Sequence, residues 1–145
     1  DVSSPYYRTN ESYNKKVKFI FNGVKEKIIG NFGLSGGGAS GLEIDSVNKD
    51  LGSPDNIFIL ASSKKHTDVY MMTPEDMLDP APGMGGTEAE IIKSDMVFFE
   101  TLKNGAVFSV GSVAWGGSMA WDKYENNISK ITKNVLDRFL NPKPF

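Results

Sequence analysis

The chain has 145 residues, enough for one compact domain with a real core. It is 39% apolar and 23% charged, which argues against disorder. Its net charge of −2 gives no reason to expect nucleic acid or an anionic membrane as a partner, and no apolar run approaches the roughly 18 to 20 residues of a membrane span. There are no cysteines, so disulfides, thiolate zinc sites and cysteine nucleophiles are excluded. That composition fits a reducing compartment, and a cytoplasmic location is the expectation.

Residues 1–14, "DVSSPYYRTNESYN", are polar and Tyr-rich without a period, and read as an irregular arm. Residues 15–145 read as a single α/β domain. "KVKFIF", Lys16 to Phe21, alternates and predicts a strand. Residues 22–41 hold seven of the fifteen glycines, an irregular stretch long enough to suggest function or packing against something else. Leu42-Glu43-Ile44 reads as a very short strand. Ile57 to Ala61, "IFILA", is an apolar run of strand length, expected to be covered on both faces. Asp68 to Met72 is another candidate strand. Thr73-Pro74-Glu75-Asp76 carries a helix-start signal, and residues 79–87 read as loop.

The β signal is clearest at residues 96–110, where two apolar runs flank Lys103-Asn104-Gly105. Asn-Gly suits a hairpin turn because both residues tolerate positive φ. A C-terminal amphipathic helix is predicted over about 123–140. Tyr124, Ile128, Ile131, Val135 and Phe139 share one face, and Asp122 with Glu125 gives a capping-box pattern. The expected class is α/β or α+β: a mixed β-sheet with this hairpin and helix, forming the C-terminal part of a larger domain.

"GGGASGLEID", Gly36 to Asp45, contains G-x-G-x-x-G. A dinucleotide loop needs a strand before it and a helix after it, and neither is predicted. A P-loop needs a lysine where Leu42 stands. On local physics a Gly-rich turn with two capping carboxylates, Glu43 and Asp45, is the simpler reading. His66 is the only histidine and lies in polar "SSKKHTD", which reads as exposed. Ser112 and Trp115 follow the second hairpin strand, where ligands of open α/β sheets lie, and are candidate pocket-wall residues. The simpler alternative there is a tight connection with Trp115 in the core.

Four blocks occur in order: "IGNFGLSGGGASGLEID", "LGSPDNIFILASS", "SDMVFFETLKNGAVFSVGSVAWGGSM" and "NNISKITKNVLDRFL". Together they resemble the C-terminal end of the large (beta) subunit of the N,N-dimethylformamidase family, from about Lys15 onward. The resemblance implies an amidohydrolase that splits a formamide C–N bond into formate and an amine. It implies an iron held by two tyrosines and a glutamate, acting as a Lewis acid. None of Tyr6, Tyr7 and Tyr13 matches those ligands, so no metal ligand is assigned here and this segment is expected to bind no iron by itself. "GLEID" matches a glutamate that the family places near the substrate. Glu43 is therefore the candidate general base or water-orienting group, with Asp45 supporting it. Gly38, Ser112 and Trp115 complete the candidate substrate-binding set.

The chain is thus expected to be a C-terminal fragment of a larger hydrolase subunit, inactive alone. Its expected partners are an amide substrate, the missing N-terminal part of the same subunit, and a small subunit or further copies. An apolar surface should be left exposed where that neighbour packs. The alternative is a non-catalytic interaction or assembly domain, binding through its helix and hairpin edge.

Overall fold

The computed structural model describes residues 2–72 and 81–145. Five strands form one sheet: β1 (Tyr6–Arg8), β2 (Ile28–Ile29), β3 (Phe58–Ser63), β4 (Asp95–Glu100) and β5 (Ala106–Ser109). Their spatial order is β2-β1-β3-β4-β5, and every pairing among them is antiparallel. Two α-helices follow, α1 (Ala114–Met119) and α2 (Asn127–Phe139). Mixed α and β structure with a hairpin and a C-terminal helix is therefore what the chain forms.

The hairpin of β4 and β5 forms, but of the Asn-Gly pair only Asn104 takes a positive φ. Asn104 has a φ of 60°, and Thr101 N donates to Gly105 O at 2.8 Å. β4 carries Asp95, Met96, Val97 and Phe98, all buried, because it is flanked on both sides by strands and covered by side chains. β3 is less completely covered than "IFILA" suggested, with Phe58, Ile59 and Ser62 half-buried.

Residues 1–14 are not an irregular arm. Tyr6–Arg8 is an interior strand between β2 and β3, and Asn10–Tyr13 is a 3-10 turn. Three residues are too few for a periodic signal; the strand exists because Ile29 and Ser63 lie opposite Tyr6. "KVKFIF" is not a strand either. Lys18–Phe21 is a 3-10 helix, and the buried residues Val17, Ile20, Phe21 and Val24 recur at helical rather than alternating spacing. The Asn14 carbonyl starts the turn by accepting from Val17 N at 3.1 Å and Lys18 N at 3.0 Å.

Three smaller expectations also change. Ile44 makes only a single bridge, to Ser112, and Met71 a single bridge to Gly85, so neither 42–44 nor 68–72 is a strand. The helix start at Thr73 lies outside the described residues. The C-terminal helix begins at Asn127, not 123. Its N-cap is Asn126, whose Oδ1 accepts from Ser129 N at 2.9 Å. Asp122 and Glu125 form no capping box, because Asp122, Lys123 and Tyr124 have left-handed φ values of 47°, 53° and 69°. Asn126 Nδ2 also ties this segment down, donating to Met119 O and Trp121 O.

The core lies between the sheet and α2. Ile128, Ile131 and Val135 on α2 pack with Val17, Ile20 and Phe21 and with Tyr6, Leu60, Met96 and Phe98 of the sheet. Each fully buried Ile or Leu contributes about 1.5–3 kcal/mol. Asn134 binds α2 to the 3-10 helix through Ile20 O at 3.0 Å and Asn22 O at 2.9 Å. No helix among the described residues is long and apolar enough to cross a membrane.

Candidate functional site

The Gly-rich loop is threaded against the start of the chain. Ser3 N donates to Gly36 O at 3.1 Å, and Ser3 Oγ to Ser35 O at 2.6 Å. At Gly38 a Cβ would stand 2.7 Å from the backbone carbon and oxygen of Ser4. Gly38 is therefore glycine so that two backbones can touch, and it is buried rather than open to a substrate.

From Gly41 the chain turns outward under close control. Ser112 Oγ accepts from Gly41 N at 2.8 Å, and Tyr70 Oη accepts from Leu42 N at 2.8 Å. Leu42 has a φ of 67°, the left-handed region that leucine rarely visits. The Glu43 carbonyl accepts from Val113 N at 3.3 Å, and Asp45 N donates to Gly111 O at 2.9 Å. Residues 43–45 thus lie against 111–113, just past β5. The side chains of Glu43 and Asp45 are both exposed. Neither carboxylate caps a backbone amide among the described residues. Asp95 does so instead: its buried carboxylate accepts from Val47 N at 2.9 Å and from Ser62 Oγ at 2.5 Å.

Of the expected wall residues, Ser112 lies beside Glu43 and clamps Gly41. Trp115 belongs to the core. It packs edge-on against Tyr6 at 5.8 Å, and its Nε1 donates to Thr132 Oγ1 at 3.1 Å. The structure thus brings Glu43, Asp45 and Ser112 together and leaves Gly38 and Trp115 beneath the surface. Leu42 and Val113, which adjoin Glu43, are exposed apolar side chains, as are Leu34 and Trp121 elsewhere on the surface. Two concavities, of about 660 and 630 Å³, lie between Gly23–Glu26 and the start of α2, and between residues 63–67 and 86–93. Glu43 lines neither.

His66 is not exposed. It is 2% accessible, and Gly86 leaves no room for a Cβ against it. Its Nε2 lies 2.7 Å from Ser63 Oγ and 3.4 Å from Ser40 Oγ. Its Nδ1 is buried and has no hydrogen-bond partner among the described residues. Burial pushes its pKa down, so the ring is neutral near pH 7. The hydroxyls continue inward. Ser40 donates to Ser94 Oγ at 3.1 Å, Ser94 to Tyr6 Oη at 2.7 Å, and Tyr6 to Val110 O at 2.7 Å. Burial pushes the Tyr6 pKa up to about 12, which keeps its proton in place for that last bond. The network joins β1, the Gly-rich loop, β3, β4 and the end of β5. Only Tyr70, four residues after His66, hinted in sequence at a packed ring there.

No three His, Asp or Glu side chains converge among the described residues. Tyr6 is committed to Ser94 and Val110, the Tyr7 ring lies under Lys64 Nζ, and the Tyr13 ring under Arg8.

A family model described as N,N-dimethylformamidase beta subunit-like, C-terminal, matches residues 2–129. The N,N-dimethylformamidase beta subunit of Alcaligenes sp is 41% identical over 145 residues, and that of Paracoccus aminophilus 39%. Each comparison covers 99% of this chain but 19% of the relative, so the chain spans about a fifth of these curated relatives. With a match that runs from ahead of β1 through β5 into α2, the chain belongs to the N,N-dimethylformamidase beta subunit-like C-terminal family.

Proposed function

We propose that this chain is the C-terminal segment of an amide hydrolase of the dimethylformamidase kind, cleaving a formamide C–N bond to formate and an amine. Glu43 is its general base or water-orienting group. One observation carries this reading: an exposed carboxylate stands on backbone fixed on both sides, by Tyr70 at Leu42 N and by Val113 at Glu43 O. A base must be held within hydrogen-bond reach of the proton it takes, and rigid backbone supplies that. In this role Glu43 accepts a proton from water, and the water oxygen adds to the amide carbon. Collapse then expels the amine, which leaves with the proton. Asp45, two residues on, supports the loop.

The substrate cavity is completed by the upstream part of the same subunit, and the iron that the resemblance implies is placed with that part. Glu43→Gln in the full-length enzyme tests the assignment. Turnover should fall by about 100-fold or more, as expected for loss of a positioned base, with iron content unchanged. Wild-type turnover in that variant would remove Glu43 from the mechanism.

The exposed side chains Leu34, Leu42, Val113 and Trp121 favour a second reading, an assembly surface without chemistry of its own. Light scattering on the isolated chain separates self-assembly from the first reading, which predicts no defined oligomer of this segment.

A further inference from the structure

We infer that Tyr70 is a positioning residue for Glu43, acting through the amide of Leu42; the inference rests on the reading of Glu43 as the base. Leu42 is the hinge of the turn that carries Glu43 outward. Its φ of 67° is unfavourable for a residue with a Cβ, and its side chain is 57% exposed. Side-chain burial therefore does little to hold this conformation, and backbone bonds must do so. On the Leu42 N–H the bond is to Tyr70 Oη, at 2.8 Å. The same oxygen lies against Gly41, where a Cβ would come within 2.7 Å of it. Tyr70 thus sits directly behind the Gly41–Leu42 peptide and fixes the plane from which Glu43 departs.

Tyr70 is itself held. Its ring meets His66 edge-on at a centroid distance of 4.8 Å. Its amide donates to Thr67 O at 3.0 Å, and its carbonyl accepts from Gly86 N at 2.8 Å. His66 is anchored in turn by Ser63 Oγ. A continuous line of contacts therefore runs from β3 through His66 and Tyr70 to the backbone next to Glu43. Removing the Tyr70 hydroxyl leaves the ring in place and frees the Leu42 amide. The peptide can then swing toward negative φ, and the Glu43 carboxylate swings with it. A displacement of about 1 Å in such a group costs up to about 100-fold in rate.

The test compares Tyr70→Phe, Glu43→Gln and the double variant in the full-length enzyme. Tyr70→Phe should lower kcat by about 10- to 100-fold. KM should stay within about twofold, and the melting midpoint should hardly move, because the lost bond orients a base rather than binding substrate. The double variant should be no slower than Glu43→Gln alone, since both changes act on one group. Adding Leu42→Asn to Tyr70→Phe should restore part of kcat, because asparagine tolerates the left-handed region. Leu42→Asn alone, which keeps the N–H and relaxes the left-handed φ, should hold kcat near wild type. Adding Tyr70→Trp or Tyr70→Leu to it keeps the test decisive if Tyr70→Phe folds poorly: loss of kcat with KM unchanged supports the inference, and wild-type kcat overturns it. Wild-type kcat in Tyr70→Phe beside an inactive Glu43→Gln overturns the role of Tyr70 alone. So does a double variant slower by the product of the two single effects. Wild-type turnover in Glu43→Gln overturns the underlying reading and this inference with it.

Discussion

Ser4 and Ser40 exchange backbone hydrogen bonds in both directions, Ser4 N to Ser40 O at 2.7 Å and Ser40 N to Ser4 O at 2.9 Å. The Gly-rich loop is therefore paired to the segment that leads into β1, and the glycines are spaced to let the two backbones meet. Gly38→Ala should destabilise the fold. Its Cβ would clash with backbone atoms of Ser3 and Ser4, which cannot rotate away. The expected loss is about 1–3 kcal/mol, read from urea midpoints. Gly83→Ala serves as a contrast for the steric term, because no described residue lies within 4 Å of a Cβ there and its φ of 85° is what is at issue.

Tyr6→Phe should also destabilise the chain. It removes the 2.7 Å bond to Val110 O and the acceptor that Ser94 Oγ uses, leaving only the longer 3.3 Å Ser94 Oγ–Val110 O bond in a region with no water access for Tyr6. Unmade buried bonds of this kind cost about 1–3 kcal/mol. Its raised pKa adds an alkaline signature. The unfolded tyrosine ionises near 10 and the folded one near 12, so the stabilisation is complete below about pH 10 and is lost as pH rises toward 12. Melting curves from pH 8 to 11 should fall more steeply for the wild type than for Tyr6→Phe.

His66 imposes the opposite dependence on the acid side. Its folded pKa lies below the unfolded value because burial disfavours the imidazolium. The unfolded chain then binds the extra proton first. Stability contributed by the neutral ring is present above about pH 6.5 and drains away as pH falls below it, until the folded pKa is passed. The melting midpoint should drop between pH 7.5 and 5.5. His66→Gln should flatten that drop, although it starts from a lower stability.

The start of α2 can be assigned by two substitutions. Asn126→Ala removes the side chain that accepts Ser129 N and donates to Met119 O and Trp121 O. It should cost about 1 kcal/mol or somewhat more. Asp122→Ala, at the position that the capping-box pattern favours, should cost less than Asn126→Ala, because only its φ of 47° is at issue and no cap is lost. Equal losses would mean that the helix begins earlier than Asn127.

What the sequence revealed was what depends on neighbours in the chain. The β4–β5 hairpin announces itself through Asn104-Gly105 between two apolar runs, and α2 through Ile128, Ile131 and Val135 on one face. Both signals lie within about fifteen residues. β1 could not be seen this way, because Tyr6 is buried by Ile29, Ser63 and Trp115, all remote in sequence. The error at "KVKFIF" has a different cause. Its two lysines alternate with apolar residues by chance, and the window that would show Val17, Ile20, Phe21 and Val24 as one helical face is wider than six residues.

The site was legible only in part. Glu43 stands out through the resemblance of "GLEID" to a family block, not through any pattern of charge or spacing. Tyr70 and His66 could not be joined to it, since the Gly-rich loop and residues 66–70 meet only in three dimensions. A polar stretch such as "SSKKHTD" suggests exposure, yet Ser63, Ser40 and Tyr70 together enclose the one histidine. Serine hydroxyls can build a buried site while leaving the sequence looking like surface.

The interior position of β1 shapes the order in which this chain can assemble. β1 is the first strand of this segment to be synthesised, but Thr9 N finds Leu60 O 51 residues later, and Tyr6 Oη finds Val110 O 104 residues later. The hairpin and α2 can form from local contacts; the sheet cannot close around Tyr6 until most of the segment has emerged. Such distant pairings favour refolding over milliseconds to seconds, roughly, rather than microseconds. Until then Tyr6 and the faces of β3 and β4 stay uncovered, so nascent chains that end before β5 are the ones most in need of a chaperone.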